Sequence, residues 1–300
     1  MLICDTHCDT LLRLAKGEKP ETLDVTYRSL TTPGNIHVQC MALYVCTGGM
    51  EQKPTVVQKE LAAFEKCKKL GFHQITKISE ALPDVPNAML TIEGGEAFEG
   101  DVEKVDAFAA RGVRMAAIIW NNENGLAHPA VSGSREGLTP LGRRIVERMR
   151  ACHMAVDISH LNERGASEVL DGAVPPLASH SCARALCDHP RNLTDSQLKA
   201  LYRARGYVGV NFYGRFLRED SIADIDTVVD HMAYMCDLGG EDCVGFGSDF
   251  DGIDIYPEGL RNALAVPALL ERMRRRGFGE ALVEKIAGRN FERYLALIGE

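Results

Sequence analysis

The amino-acid sequence predicts an α/β protein, a (β/α)₈ barrel of the TIM type that forms a single domain over residues 1–300. Two observations predict this fold: short apolar runs alternate with helix-like runs along the whole chain, and the apolar runs number eight. Such alternation indicates a parallel sheet, and eight repeats indicate its closure into a barrel. No linker or change in composition divides the chain. An open doubly wound sheet, which usually has fewer strands, is the alternative.

Each predicted strand contains an apolar run, and most of the strands end near a polar residue. They are Leu2–Thr6, Ile36–Cys46, Ala88–Glu93, Val113–Trp120, Met154–His160, Pro175–His180, Tyr207–Tyr213 and Cys243–Asp249.

Helical patterns follow most of these strands. The clearest pattern covers Pro140–Cys152, where Thr139 can cap the first turn and the proline suits the first position. Another helix begins at Thr194, whose spacing to Gln197 is that of a capping box. The other predicted helices are Pro54–Leu70, Asp101–Ala110, Glu163–Leu170, Ile222–Leu238, Val266–Arg275 and Gly279–Leu297.

Charge and composition exclude several classes of partner. The net charge of −8 disfavours a nucleic-acid partner, because phosphate binding needs clustered Lys and Arg. No apolar run approaches the ~20 residues of a membrane span. The first residues lack the pattern of an export signal, and the ten cysteines include no Cys-x-x-Cys pair. We therefore expect reduced thiols and a cytoplasmic protein.

Polar residues of metal-binding types lie at the ends of five predicted strands. In a barrel, catalytic residues gather at the C-terminal strand ends, so these side chains should meet. The first strand supplies two of them with one residue between, which places both on the same face. The residues are His7, Asp9, Glu93, His160, His180 and Asp249. Each alone has a structural explanation, but their joint placement favours a site.

Six such groups exceed the needs of one catalytic zinc ion, which takes three protein ligands and a water. Two ions, about 3.5–4 Å apart with one carboxylate between them, fit the set better. Imidazole and carboxylate ligands suit Zn²⁺, while Mn²⁺, Co²⁺ and Fe²⁺ are alternatives. The sequence thus predicts a two-metal hydrolytic centre that polarises a carbonyl group.

Short motifs occur in a fixed order along nearly the whole chain. They are DTHCD at 5–9, TIEGG at 91–95, GVR at 112–114, GLTPLG at 137–142, VDISH at 156–160, SHSCA at 179–183, RN at 191–192, NFY at 211–213, VGFGSDFDG at 244–252 and GRNF at 288–291. This ordered set resembles the membrane (renal) dipeptidase family, peptidase family M19, of the amidohydrolase-like superfamily. The resemblance implies a zinc-dependent barrel enzyme that cleaves dipeptides, often with a D-residue on the C-terminal side, and commonly dimerises.

The resemblance also implies a ligand set. His7 and Asp9 would hold the first metal ion, His160 and His180 the second, and Glu93 would bridge both. A hydroxide between the two ions would attack the peptide carbonyl.

Further residues would act on the proton and the substrate. Asp249 would be the acid/base beside the hydroxide, and Arg191 would contact the substrate's free carboxylate. Asn211, from the Asn-Phe-Tyr motif, together with Trp120 and Asn121, would line the substrate side of the site.

The chain departs from the animal members of this family at two positions. Trp120 stands where they carry a histidine thought to steady the carbonyl oxygen, which leaves Asn121 or His128 to assist, or a Trp rim without such a group. Phe216 stands where they carry a tyrosine, so that hydroxyl contact is absent, and the neighbouring Arg215 is one candidate to replace it. These two departures bear on the substrate range rather than on the metal ligands.

Two other functions compete with a dipeptidase. The first is a barrel phosphoesterase, but those enzymes typically begin with His-x-His, whereas this chain has His7-x-Asp9. The second is a metal-binding barrel without activity, which the presence of Asp249 disfavours.

Overall fold

The computed structural model describes residues 1–45, 53–172 and 174–299. Nine parallel strands form one sheet in this part of the chain. They are β1 (Leu2–Asp5), β2 (Ile36–Tyr44), β3 (His73–Gln74), β4 (Pro86–Glu93), β5 (Met115–Ala117), β6 (Ala155–Asp157), β7 (Leu177–Ala178), β8 (Tyr207–Val210) and β9 (Val244–Phe246). Strands β1, β2 and β4 to β9 close into an eight-stranded barrel, because β9 pairs with β1 and β2 pairs with β4. The predicted fold is confirmed.

Helices lie between the strands, as predicted. They are α1 (Thr10–Ala15), α2 (Lys53–Lys69), α3 (Glu103–Ala110), α4 (Pro140–Ala151), α5 (Glu163–Leu170), α6 (Asp195–Arg203), α7 (Gly214–Leu217), α8 (Ile225–Met235), α9 (Val266–Arg275), α10 (Glu280–Glu284) and α11 (Asn290–Leu297). Thr139 accepts a hydrogen bond from the Gly142 amide, and Thr194 and Gln197 form the predicted capping box. Helices α1 and α7 and strand β3 were not predicted.

Several strands are shorter than their apolar runs. The run 113–120 contributes only β5, and the run 154–160 contributes only β6. Two of the predicted strands end at a residue where the backbone has turned out of the ladder. His160 has φ of 71° and Asp249 has φ of 64°, values that a strand residue does not adopt. Cys46, predicted to end the second strand, lies outside the described residues.

Apolar side chains fill and close the barrel at the end where the strands begin. A buried cluster joins strand residues to α11 through Phe291 and Tyr294. The Tyr294 hydroxyl donates to the Pro175 carbonyl, which ties the helix to the start of β7. The open end of the barrel therefore lies at the C-terminal ends of the strands. Among the described residues, no helix combines the length and apolarity needed to cross a membrane.

Candidate metal centre and active site

His7 lies at the centre of a group of carboxylates. Its Nε2 atom is 3.5 Å from Glu93 Oε2, 3.7 Å from Asp9 Oδ2 and 3.8 Å from Asp249 Oδ1. Cys8, between His7 and Asp9, is fully buried and forms a parallel bridge with Phe250. The chain therefore alternates after β1 as the sequence predicted, with His7 and Asp9 in the site.

Glu93 joins this group to a pair of histidines. Its Oε1 atom is 2.8 Å from His160 Nε2 and 3.6 Å from His180 Nε2. The two imidazole nitrogens are 2.9 Å apart. Because its other oxygen faces His7, Glu93 lies between the two predicted ligand pairs, which is the position a bridging carboxylate requires.

The hydrogen bonds behind the two histidines determine which nitrogen carries the proton. His160 Nδ1 is 2.9 Å from the Asn121 side-chain oxygen, and His180 Nδ1 is 2.7 Å from Ser179 Oγ. The hydroxyl of Ser179 donates to Asp157, so its oxygen accepts from His180. Both rings are thus protonated on Nδ1, and both Nε2 lone pairs point at the Glu93 carboxylate.

Such a convergence of lone pairs is unfavourable unless a proton or a cation lies between them. On the other side of Glu93, His7 Nε2 and Asp9 Oδ1 are buried without a hydrogen-bond partner among the described residues. Two sets of three residues each bring their ligand atoms within 4.8 Å of one another. The first set is His7, Glu93 and His180, and the second is His7, Asp9 and Asp249. The chemistry of these residues therefore fits the binding of a divalent metal ion, and both groups share His7.

Burial and neighbouring charges adjust the ionisation of these groups. Burial, with the charges of His7 and Arg191, holds the pKa of His180 well below its usual value. Burial likewise lowers the pKa of His160. Burial, together with the Asp9 charge, raises the pKa of Glu93 to about 7. Both histidines are consequently neutral at neutral pH, which is the form that binds a metal ion.

Asp249 reaches the site on a tight turn. Both Asp249 and Asp251 have left-handed backbone conformations, which non-glycine residues rarely adopt and which often mark functional sites. Gly252 follows them, and a Cβ atom there would lie 2.1 Å from Asp9 Oδ2 and 2.6 Å from Asp249 Oδ1. Only glycine allows the turn to pass this close to the carboxylates.

Asn211 contacts Asp249 directly. Its side-chain amide donates to Asp249 Oδ2 at 2.9 Å, while its oxygen accepts from the Tyr213 amide at 2.6 Å. Burial raises the pKa of Asp249, and the hydrogen bond from Asn211 partly offsets this rise. Asp249 is thus a carboxylate whose side chain is 14% exposed, with one oxygen fixed and the other facing His7. A contact between Asn211 and substrate stays a prediction.

Arg191 lies beside the histidine pair on the loop after β7. The side chain is buried, donates to the His180 carbonyl at 3.3 Å, and lies 5.5 Å from the centre of the Phe216 ring. Its Nε atom has no hydrogen-bond partner among the described residues. Arg191 therefore retains a donor, and the departure at Phe216 provides an apolar surface beside it.

The remaining predicted substrate residues lie at the rim. Trp120 packs edge-on against Tyr44 at 5.3 Å and lies 6.2 Å from the His160 ring. Asn121 is directed at His160, as described above. His128 is paired with Glu123 at 2.8 Å, on the loop after β5. The structure thus favours a Trp rim without a histidine, and the substrate contacts of Trp120 and Asn121 stay predictions.

Sequence reasoning missed three buried polar residues near the centre. Asp157 and Ser179 lie within the motifs VDISH and SHSCA, next to predicted ligands, so a search for partners of those ligands would have found them. Glu60, on α2, is fully buried, and no charged partner of its carboxyl group is found among the described residues. Nothing in its sequence context separated Glu60 from an ordinary surface helix residue.

Known proteins resemble this chain over most of its length. A family model described as membrane dipeptidase (peptidase family M19) matches residues 1–298. An uncharacterized dipeptidase of Schizosaccharomyces pombe is 36% identical over 244 residues, which cover 80% of this chain and 60% of that protein.

Two solved structures share the fold. One is a metallo peptidase from Rhodobacter sphaeroides liganded with a phosphinate mimic of the dipeptide L-Ala-D-Ala, with a TM-score of 0.91, 28% identity and 99% of each chain covered. The other is a dipeptidase of family M19, with a TM-score of 0.90, 29% identity, and 99% of this chain and 98% of that one covered. The likeness extends over the whole barrel and is not confined to the site.

Proposed function

The chain belongs to the membrane dipeptidase family, peptidase family M19, and from that membership we propose that it is a zinc-dependent dipeptidase. The family predicted from the sequence motifs is confirmed, and it makes the chain a hydrolase. The observation that carries the proposal is the convergence of His160, His180 and His7 on the two oxygens of Glu93. This arrangement suits two Zn²⁺ ions, with His7 and Asp9 on one side of Glu93 and the histidine pair on the other.

The residues around this centre support hydrolysis of an amide bond. When bound, two zinc ions supply a hydroxide nucleophile at neutral pH and polarise the carbonyl group. Asp249 takes the proton of the attacking water and returns it to the leaving amine, because its free oxygen faces the ligands while Asn211 fixes the other. Trp120 and Phe216 flank the substrate with apolar surface.

Substrate choice follows from Arg191. A buried guanidinium with a free donor binds a carboxylate through its planar fork, so the substrate ends in a free carboxylate close to the scissile bond. This geometry selects dipeptides over longer chains. A D-residue on the C-terminal side is part of the proposal, and the phosphinate mimic of L-Ala-D-Ala bound by the Rhodobacter sphaeroides relative supports it.

We also propose a homodimer in the cytoplasm. The nine cysteines in the described part of the chain are all free thiols, and a reducing compartment preserves such thiols. Sedimentation at several protein concentrations tests the dimer, and fractionation of expressing cells tests the location.

One experiment tests the proposed reaction. Elemental analysis of the purified protein should give two zinc ions per chain, and a panel of L,L- and L,D-dipeptides should be hydrolysed while a phosphodiester is not. Glu93→Gln should lose both ions, since one carboxylate serves each. Hydrolysis of the phosphodiester alone, or no turnover by the fully loaded protein, would contradict the proposal.

A further inference from the structure

Two buried carboxylates have the same arrangement at two places in the barrel, which strand β8 separates. Asp157, at the end of β6, accepts hydrogen bonds from the amide and the hydroxyl of Ser179, which follows β7. Asp5, at the end of β1, accepts from the amide and the hydroxyl of Ser248, which follows β9, at 2.9 and 2.5 Å. Both serines are at most 1% exposed. The same polar pair therefore occurs twice, and any difference between the copies is informative.

The difference lies in what each serine contacts next. Ser179 Oγ is 2.7 Å from His180 Nδ1, so the Asp157 carboxylate is linked through a hydroxyl to an imidazole. Within the described part of the chain, Ser248 Oγ hydrogen-bonds beyond Asp5 only to backbone, namely the His7 carbonyl at 3.3 Å and the Phe250 amide at 3.2 Å. The Asp157–Ser179 pair therefore contacts the imidazole ring of His180, a predicted metal ligand. The Asp5–Ser248 pair instead holds the loop that carries Asp249.

In the Asp157–Ser179 pair the carboxylate is held in place, and each hydrogen bond has a defined donor and acceptor. Asp157 Oδ1 accepts from the backbone amides of Ser159 and Ser179, at 2.9 and 3.0 Å, which fixes the carboxylate. The single hydroxyl proton of Ser179 goes to Asp157, so the oxygen can only accept from His180 Nδ1. The Nε2 lone pair is then available on the side of Glu93. A carboxylate behind a ligating histidine typically raises metal affinity.

We propose that Asp157 and Ser179 are positioning residues that act through His180, fixing its Nδ1-protonated tautomer and so setting the affinity of the metal position on the side of His160 and His180. This inference rests on the proposed function, because it requires two metal positions that share Glu93. Under this proposal, Asp157 and Ser179 contribute to metal binding although neither contacts the substrate or a metal ion.

The test is a metal titration with matched variants. Chelator-treated protein is titrated with Zn²⁺ against a competing indicator dye, which resolves the two affinities without any activity measurement. Ser179→Ala should weaken one position by roughly 10–100-fold and leave the other unchanged. Asp157→Asn should weaken the same position, and Ser179→Thr, which keeps the hydroxyl, should restore it. His180→Ala identifies that position, because it removes the ligand itself.

Ser248→Ala is the control, since it removes the equivalent hydroxyl from the equivalent carboxylate but reaches no imidazole. It should leave both affinities near those of the unaltered protein. Equal losses in Ser179→Ala and Ser248→Ala would overturn the inference. Fewer than two ions in the unaltered protein would instead contradict the proposed function. Should Ser179→Ala fail to fold in thermal unfolding, Asp157→Asn, which keeps the side-chain shape, decides the question alone.

Discussion

The side-chain amide of Asn211 donates a 2.9 Å hydrogen bond to Asp249 Oδ2. This contact leaves Oδ1 as the oxygen directed at His7, 3.8 Å from its Nε2 atom. Asp249 is therefore presented to the centre in one orientation, with a donor that favours its charged form.

Asp249→Asn should reduce turnover and retain both metal ions. An amide can neither take nor return the proton, so kcat should fall by roughly 10²–10⁴-fold, with KM less affected. Steady-state kinetics and elemental analysis of the variant check this. An empty metal position would instead make Asp249 a ligand, in agreement with its grouping with His7 and Asp9, and undiminished turnover would exclude both roles.

Asn211→Ala should move the acidic limb of the kcat/KM profile to higher pH. The hydrogen bond from Asn211 lowers the pKa of Asp249, so its loss raises that pKa, and a higher pH is then needed to reach the active carboxylate. The control is Asn87→Ala, a buried asparagine at the far end of β4, whose loss should change stability only. An acidic limb that stays in place in Asn211→Ala would remove Asp249 as the titrating group.

Arg191→Lys should weaken the preference for a dipeptide over its C-terminal amide. An ammonium group loses the forked contact, and a charge-assisted hydrogen bond of about 1.5–3 kcal/mol corresponds to a loss of about tenfold or more in kcat/KM for the acid. Arg275→Lys is the control, because Arg275 is exposed on α9 and pairs with Glu271. Equal rates for acid and amide in the unaltered protein would show that Arg191 does not bind the terminus.

Glu60→Gln should stabilise the metal-free protein at high pH. Burial, reinforced by the Asp9 charge, raises the pKa of Glu60 from 4.5 to about 9. The stability that the protonated acid contributes is therefore complete below about pH 4.5 and is lost as the pH rises through about 9. The variant cannot ionise, so at the upper end it avoids the cost of a buried charge and should gain at least about 1–3 kcal/mol.

Thermal unfolding across this pH range measures the effect. The control is Glu96→Gln, which alters a buried carboxylate that already accepts hydrogen bonds from Asn122 and Asn124 and so should destabilise the protein. Identical pH slopes for Glu60→Gln and the unaltered chain would mean that Glu60 ionises freely in the fold.

The sequence by itself determined the barrel and the main residues of its centre. Alternating apolar and helical runs fix a parallel (β/α)₈ sheet, and that fold brings the C-terminal strand ends together whatever the loops do. His7, Glu93 and His180 could therefore be assigned to one site from their positions at strand ends. The caps at Thr139 and Thr194 were equally readable, because they depend on neighbouring residues only.

Only the tertiary structure decided which polar groups support that centre. Asn121 was predicted on the substrate side, yet its oxygen faces His160, and Asp157 reaches His180 through a serine 22 residues away. The sequence around Glu60 is typical of a polar helix, but the Glu60 side chain is fully buried. These contacts join different strands and loops, so they depend on the register and the turns of the closed barrel. Local sequence patterns specify each element, but the direction of a side chain at a strand end is set by packing across the sheet.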